Sequence, residues 1–268
     1  MIFDGNKHAG FLAEKIKQTI ASLHGKVQVV VIAVGATAVT KSYIEKKQHY
    51  AQSVGIVLRI DTFSEAVSQV ELLAHIQALN SDKGVSGIVV QLPLPAHIQT
   101  EAVLRMVNPH KDIDGLGAQP LVLPPVVGAI EYILDAQGYN VLGKQATVIG
   151  KGRLVGVPAA LWLKARGAHV KIVTKETGDL SESLVLSDII VSGAGVPDLI
   201  RKEMLTKGVV LLDAGASEEG GRVRGDASPD CASVTSLFTP VPGGIGPITV
   251  AYLFYNALHL VAHNGAHQ

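Results

Sequence analysis

Lys47 follows Tyr43 by four residues in Thr40-Lys41-Ser42-Tyr43-Ile44-Glu45-Lys46-Lys47. In a helix that spacing puts the ring and the ammonium on one face. Gln91 stands where the apolar run Gly87-Ile88-Val89-Val90 meets Leu92-Pro93-Leu94-Pro95. A strand end feeding a loop is a common ligand position in a parallel sheet. A lysine near an amide and an aromatic face can have its pKa lowered and exchange protons near neutrality. The same residues also describe a solvated lysine over a tyrosine at the core edge. A third group, Asn108-Pro109-His110-Lys111-Asp112-Ile113-Asp114-Gly115, reads as an exposed turn. Its two carboxylates and lysine can hold a polar heterocycle carrying N–H donors, or can be ordinary turn chemistry.

A second kind of chemistry is suggested by Gly150-Lys151-Gly152-Arg153-Leu154-Val155-Gly156, which follows a strand expected at 145–149. Its last spacing is one residue longer than G-x-G-x-x-G. Glycines let backbone approach phosphate, and the next helix, with Pro158 in its first turn, aims its N-terminus at the anion. The acidic ribose reader belongs near the end of the following strand, at Thr174-Lys175-Glu176. Glu176 can accept the ribose hydroxyls of NAD, whereas Lys175, Lys151 and Arg153 can pair with the 2′-phosphate of NADP. Both cofactors stay open on this reading. Thr239-Pro240-Val241-Pro242-Gly243-Gly244-Ile245-Gly246-Pro247-Ile248-Thr249 is a further candidate, because its prolines and glycines fix a loop with bare amides near a ligand.

These residues need elements to hold them. The periodicity predicts a helix over 8–23 stopped by Gly25, and a β-branched strand over 27–34. The turn Gly35-Ala36-Thr37-Ala38 leads into the Tyr43/Lys47 helix, which runs to Gly55. A strand at 56–62, a helix at 68–80 with Ser68 and Glu71 at capping-box spacing, and a strand at 87–91 complete a β-α-β-α-β rhythm. That rhythm implies a parallel sheet with right-handed crossovers. A helix at 126–134 leads away, and residues 136–140 mark a boundary. The second rhythm has strands at 145–149, 169–173, 188–193 and 209–213, and a closing helix spans 250–263.

The 268 residues suit one large domain or two ordinary ones, and 47% hydrophobic content is ample for a core. Lys plus Arg and Asp plus Glu both number 23, which argues against a sequence-independent grip on nucleic acid. With one Trp and five Phe, stacking platforms for single strands are improbable as well. Cys231 is the sole cysteine, so neither an internal disulfide nor a thiolate metal cluster is expected, in keeping with a reducing cytosol. The start, Met1-Ile2-Phe3-Asp4-Gly5-Asn6-Lys7, has no apolar h-region, and no apolar run is read as long enough for a membrane span. The expectation is a soluble cytoplasmic protein without a resident metal.

In this order the motifs resemble the bifunctional methylenetetrahydrofolate dehydrogenase/methenyltetrahydrofolate cyclohydrolase family. The likeness runs from Asp4-Gly5 through Tyr43-x-x-x-Lys47, Val90-Gln91-Leu92-Pro93-Leu94-Pro95 and Lys111-Asp112-Ile113-Asp114-Gly115 to the Thr239–Pro247 stretch. The resemblance implies two α/β domains flanking a cleft, the second Rossmann-like. Residues 1–120 with 246–268 would bind folate, 139–245 would bind NAD(P), and 121–138 would connect them. It implies that Lys47 transfers protons, that Gln91 orients it and keeps it partly neutral, that Tyr43 lies against the folate, and that Asp114 holds the pterin. Val90, Leu92, Pro242, Gly243, Gly244, Ile245 and Gly246 would line the substrate site, the last five next to the nicotinamide. Gly150, Lys151, Gly152, Arg153, Thr174, Lys175 and Ala216 would bind the cofactor, NADP or alternatively NAD. A homodimer acting on tetrahydrofolate derivatives is likewise implied.

The departures fall on the cofactor side. Leu123-Pro124-Pro125-Val126-Val127-Gly128 replaces the usual Pro-Cys-Thr-Pro-x-Gly, and Gly150-Lys151-Gly152 replaces Gly-Arg-Ser. Thr174-Lys175 stands for His-Ser, Gly215-Ala216 for Gly-Ile, and Gly225-Asp226-Ala227-Ser228 for Gly-Asp-Val-Asp. A lysine does not reproduce an arginine fork. Two alternatives follow: a cyclohydrolase with weak or altered dehydrogenase activity, and a non-catalytic folate or nucleotide binder.

Overall fold

A computed structural model describes residues 1–23, 26–35, 37–177, 179–220 and 222–265. The expected stop at Gly25 and the Ala36 position of the turn lie outside the described residues. The chain forms two compact units: a lysine unit, Gly10–Pro125 with Val250–Gln268, and a glycine-loop unit, Met1–Ala9 with Val126–Thr249.

The chain opens with α1 (Gly5–Ser22), whose start is set by Asp4: its carboxylate accepts from the Lys7 amide at 3.0 Å. That cap begins the helix three residues before the apolar periodicity does. Next come β1 (Gln28–Val34), α2 (Ala38–Val54), β2 (Val57–Phe63), α3 (Gln69–Ser81), β3 (Gly87–Val90) and α4 (Thr100–Met106). Thr37 caps α2 by accepting from the Thr40 amide, and Gly55 ends it at φ 83°, a conformation suited to glycine. Ser68 caps α3 through the Glu71 amide at 3.2 Å. The three strands are parallel in the order β2-β1-β3. Central β1 is covered on both faces and its side chains alternate between two cores. Val30, Ile32 and Val34 meet Leu72, Ile76 and Val103 on one side. Val29, Val31 and Ala33 meet Ile16, Ile44 and Ala51 on the other. The sequence reading had no element where α4 lies; its buried Val103 and Leu104 are too short a signal to show a period.

The glycine-loop unit continues with α5 (Pro125–Ala136), β4 (Gln145–Ile149), α6 (Gly156–Ala165), β5 (His169–Val173), α7 (Leu180–Val185), β6 (Ile189–Ser192) and β7 (Val210–Asp213). After an antiparallel hairpin of β8 (Ser217–Glu219) and β9 (Arg222–Arg224) come β10 (Leu237–Thr239) and α8 (Ile245–Gly265). The main sheet is parallel, in the order β10-β7-β6-β4-β5. In each unit the first strand therefore lies between the second and the third. The order in which strands are added reverses there, leaving a crevice at the carboxyl ends of the first and third strands. Neither the hairpin nor β10 was read from the sequence, each being only three residues long.

Helix α8 corrects two expectations. It starts at Ile245, so Ile245-Gly246-Pro247 forms a helical first turn rather than loop. Its Ile245–His263 stretch is also long and apolar enough to cross a membrane by length and composition, contrary to the sequence reading. Half of that stretch is buried, and Leu253, Phe254, Ala257, Leu258 and Leu260 belong to the same core as Val29 and Val31. Fully buried Phe254 stacks on Tyr50, with ring centroids 5.7 Å apart. Truncating such a residue to Ala costs about 3–5 kcal/mol. The apolar composition of α8 thus has a use inside the lysine unit.

Candidate active site

In the lysine unit, β1 and β3 pair Ile32 with Val90, and the Gln91 amide donates to the Ile32 carbonyl at 2.9 Å. This places Gln91 at the crevice. Its side-chain amide donates to the Leu92 carbonyl at 2.9 Å, so its oxygen faces away from that bond, and Lys47 Nζ donates to it at 3.0 Å. The Leu92–Pro93 peptide is cis. Lys47 comes from α2, whose Ile44, Ala51 and Val54 bury the helix face beside it. Burial lowers the Lys47 pKa, while the nearby Asp114 carboxylate opposes the shift. The neutral bias thus comes from desolvation, and Gln91, as an acceptor, orients the amine.

The Asp112/Asp114 turn separates into two jobs. Asp112 is buried and accepts from the Gly117 amide at 2.7 Å, and Lys111 Nζ caps the end of α3 through the Leu79 and Asp82 carbonyls. Both are structural. Asp114 has no side-chain hydrogen bond among the described residues. Its carboxyl is pushed up to about 6, chiefly by burial, against the pull of Lys47. A half-buried carboxyl beside an amine, with its acceptor capacity unused among the described residues, suits a ligand bearing N–H donors. Tyr43 is 40% exposed one turn before Lys47, with Lys46 Nζ 5.3 Å from its ring centroid. Val90 points into the core, so only its backbone faces the crevice, and Leu92 is partly buried.

Asn256 escaped the sequence reading. This buried side chain donates to the Ile113 and Leu123 carbonyls, both at 2.9 Å, and so fixes the segments around Asp114 and Leu123. The signal was available as a lone amide in the apolar α8. Gly115, at φ 61°, turns the chain where an added Cβ would lie 2.7 Å from the Val122 carbonyl oxygen.

In the glycine-loop unit each glycine has a separate reason. A Cβ on Gly156 would lie 2.1 Å from the Gly150 carbonyl oxygen, so α6 packs against the loop only without one. Gly150 has φ 95° and abuts the Gly193 carbonyl, whereas Gly152 has open space around its Cβ position. Gly152 is therefore where a phosphate can approach backbone. At the end of β5, Thr174 Oγ donates to Glu176 Oε2 at 2.6 Å, and Lys151 Nζ lies 3.5 Å from that oxygen. Lys175, Arg153 and Ala216 are exposed.

The closing stretch is held by Gly5. Its amide donates to the Gly243 carbonyl at 2.8 Å, and a Cβ there would lie 1.8 Å from the Gly244 oxygen. Val241–Pro242 is cis, Gly243 adopts φ 101°, and the Gly244 amide donates to Pro240 at 2.7 Å. Ile245 is buried, and the space beside Gly246 at the start of α8 is open.

Residues 3–114 match the family described as tetrahydrofolate dehydrogenase/cyclohydrolase, catalytic domain, and residues 124–265 match the corresponding NAD(P)-binding domain. The chain belongs to the tetrahydrofolate dehydrogenase/cyclohydrolase family. It is similar to the bifunctional protein FolD of Hydrogenobaculum sp. (35% identity, 96% of this chain, 97% of the relative). Among solved structures, FolD from Campylobacter jejuni, a methylenetetrahydrofolate dehydrogenase/cyclohydrolase, aligns with TM-score 0.93 at 31% identity, over 98% of this chain and 99% of that one. The Trypanosoma brucei FolD complexed with NADP cofactor and an inhibitor aligns with TM-score 0.93 at 30% identity, over 99% and 98%. In this family member the lysine, glutamine and second aspartate of the expected set share one crevice of the lysine unit. The glycine loop occupies the equivalent crevice of the other unit.

Proposed function

We propose that this chain oxidises 5,10-methylenetetrahydrofolate to the 5,10-methenyl form with NADP, and hydrolyses that product to 10-formyltetrahydrofolate. The carrying observation is the Lys47–Gln91 bond of 3.0 Å beside Asp114, whose side chain makes no hydrogen bond among the described residues. The methenyl carbon is an electrophilic amidinium. Neutral Lys47 takes a proton from water as its oxygen attacks that carbon, and the resulting ammonium returns a proton to the departing ring nitrogen. One amine with a depressed pKa serves both steps, and Gln91 keeps it aimed. Asp114 holds the pterin, and Tyr43 lies against the folate, with the Val90 and Leu92 backbone as further contacts. Pro242, Gly243, Gly244, Ile245 and Gly246 present backbone to the substrate.

For hydride transfer the cofactor supplies the chemistry, and the protein's part is orientation. Gly150 and Gly152 receive the diphosphate. Lys151, Arg153, Thr174, Lys175 and Ala216 complete the nucleotide contacts. NADP is the cofactor this reading favours, supported by the basic Lys151, Arg153 and Lys175, with NAD as the competitor. A cytoplasmic homodimer without nucleic-acid partners fits the zero net charge and the burial of α8 in its own unit.

The test is to mix the protein with methylenetetrahydrofolate and NADP or NAD while following methenyl absorbance. A rise and decay is expected. Decay of supplied methenyl-folate without any rise from methylene-folate reduces the protein to a cyclohydrolase, and no change makes it a binder. Lys47→Met is expected to abolish hydrolysis while circular dichroism stays native; near-normal hydrolysis removes Lys47 from the mechanism.

A further inference from the structure

Two carboxylates of the glycine-loop unit have no part in the chemistry above. Asp213 ends β7 and Asp226 follows β9, and both are buried, Asp226 completely. Among the described residues no ion pair reaches either. Burying a carboxylate without a cation is tolerated only when hydrogen bonds take up its charge. Asp226 collects three, all from one place. Its Oδ2 accepts from Ser192 Oγ at 2.6 Å and the Ala194 amide at 2.8 Å, and its Oδ1 accepts from the Val196 amide at 2.7 Å. Those donors are the last residue of β6 and the turn that leaves it.

That turn forms one wall of the crevice between β4 and β6. Gly193 leaves so little space that a Cβ there would lie 2.5 Å from Val155 Cγ1, in the glycine loop. Gly150 in turn abuts the Gly193 carbonyl, and Gly195 takes φ 67°. A shift of the turn is therefore passed directly to the loop at Gly150 and Val155. On the other side two glycines make room for the acids. A Cβ on Gly215 would lie 2.1 Å from Asp226 Cγ, and one on Gly225 would lie 2.2 Å from Asp213 Oδ2. Asp213 itself accepts from the Gly215 and Ala227 amides, which fixes the neighbouring turn and the segment carrying Asp226.

We propose that Asp226 is a positioning residue for the dinucleotide: by holding Ser192, Ala194 and Val196, its carboxylate sets the turn after β6 in the shape that receives the cofactor. The inference rests on the reading of this crevice as the dinucleotide site. A structural acid elsewhere in the unit would weaken folding without separating the two substrates. Asp226 acts on the cofactor side alone, so its loss raises the KM for dinucleotide and leaves the KM for folate in place.

The experiment measures dinucleotide Kd by calorimetry, with kcat and both KM values, for wild type, Asp226→Asn and Ser192→Ala. In Asp226→Asn the new amide turns a donor toward a backbone N–H. The dinucleotide Kd and KM are expected to rise about tenfold or more, with folate KM and saturating kcat within about twofold. Ser192→Ala removes one donor and is expected to move Kd the same way by about threefold. A folded Asp226→Asn that binds as tightly as wild type overturns the proposal. Should Asp226→Asn not fold, Ser192→Ala decides, and an unchanged Kd overturns it. A wild type with no measurable dinucleotide binding overturns the underlying reading instead, and the inference with it.

Discussion

Lys47 Nζ and Gln91 Oε1 are 3.0 Å apart although 44 positions separate the residues in the chain. Two neighbouring strands and one helix make the meeting. Gln91 is fixed at the end of β3 by the Ile32 carbonyl, and its amide is turned by Leu92, so the oxygen that faces α2 is determined. An acceptor on an amine favours the ammonium form, whereas burial favours the neutral one. Gln91→Ala removes the first effect and keeps the second. The expected result is a hydrolysis rate lowered about tenfold or more, with the acid limb of the pH–rate profile displaced to lower pH. An unmoved limb would show that Gln91 only aims the amine.

Asp114 acts on the same amine from the other side. Its carboxyl is pushed up to about 6 by burial, so it is anionic above that pH, and there it raises the Lys47 pKa. Asp114→Asn removes the charge. Lys47 then becomes neutral at lower pH, and the hydrolysis profile of the variant shifts to the acid side. The folate KM is expected to rise about tenfold as well, through loss of a charged acceptor. Profiles taken at saturating and at limiting folate separate the two effects. A shift to the alkaline side is the result that this account does not allow.

The sequence showed the rhythm of both sheets because central strands such as β1 carry nearly unbroken β-branched runs. It also showed Lys47 and Gln91 as candidates, since each stands at a strand or helix position that faces a crevice. Residue types alone could not divide the Asp112/Asp114 pair, and only the family resemblance singled out Asp114. Which carboxylate is occupied depends on the Gly117 amide, and that contact follows from the fold of the turn. The roles of Gly5 and Asn256 were hidden for the same reason. Their partners, Gly243 and Gly244 for one and Ile113 and Leu123 for the other, are more than a hundred residues away. The α8 start was misplaced because Gly246 and Pro247 are helix breakers by type but are tolerated in a first turn.

We predict that Glu176 weighs on the choice between NADP and NAD. The Thr174 hydroxyl, and after it Lys151, hold its carboxyl below the usual range, so it is anionic across neutral pH. An anion at the end of β5 accepts from ribose hydroxyls and repels a 2′-phosphate, and it also engages a lysine that the phosphate would use. Glu176→Gln is expected to lower the KM for NADP about threefold or more and to raise that for NAD, an effect that shrinks as salt rises. The KM ratio for the two dinucleotides, measured at low and at high ionic strength, is the check. A ratio that does not move excludes Glu176 from the choice.

Asp213 gives the glycine-loop unit an unusual dependence on pH. Burial first, and then the neighbouring Asp226, push its carboxyl up to about 7, against the Ala227 and Gly215 amides. In the unfolded chain an aspartate titrates near 3.9, about three pH units lower. Between those values the native protein holds a proton that the unfolded chain releases. The contribution of Asp213 to stability is therefore fully present below about pH 3.9 and is lost as pH rises through about 7. Asp213→Asn cannot titrate and supplies the reference. Trp162, the single tryptophan, is buried in this unit and reports its unfolding. Urea unfolding followed by its fluorescence is expected to show wild-type stability, relative to the variant, declining from about pH 4.5 to about pH 7.5 and then levelling. A difference that is constant or grows with pH over that range would place the Asp213 proton elsewhere.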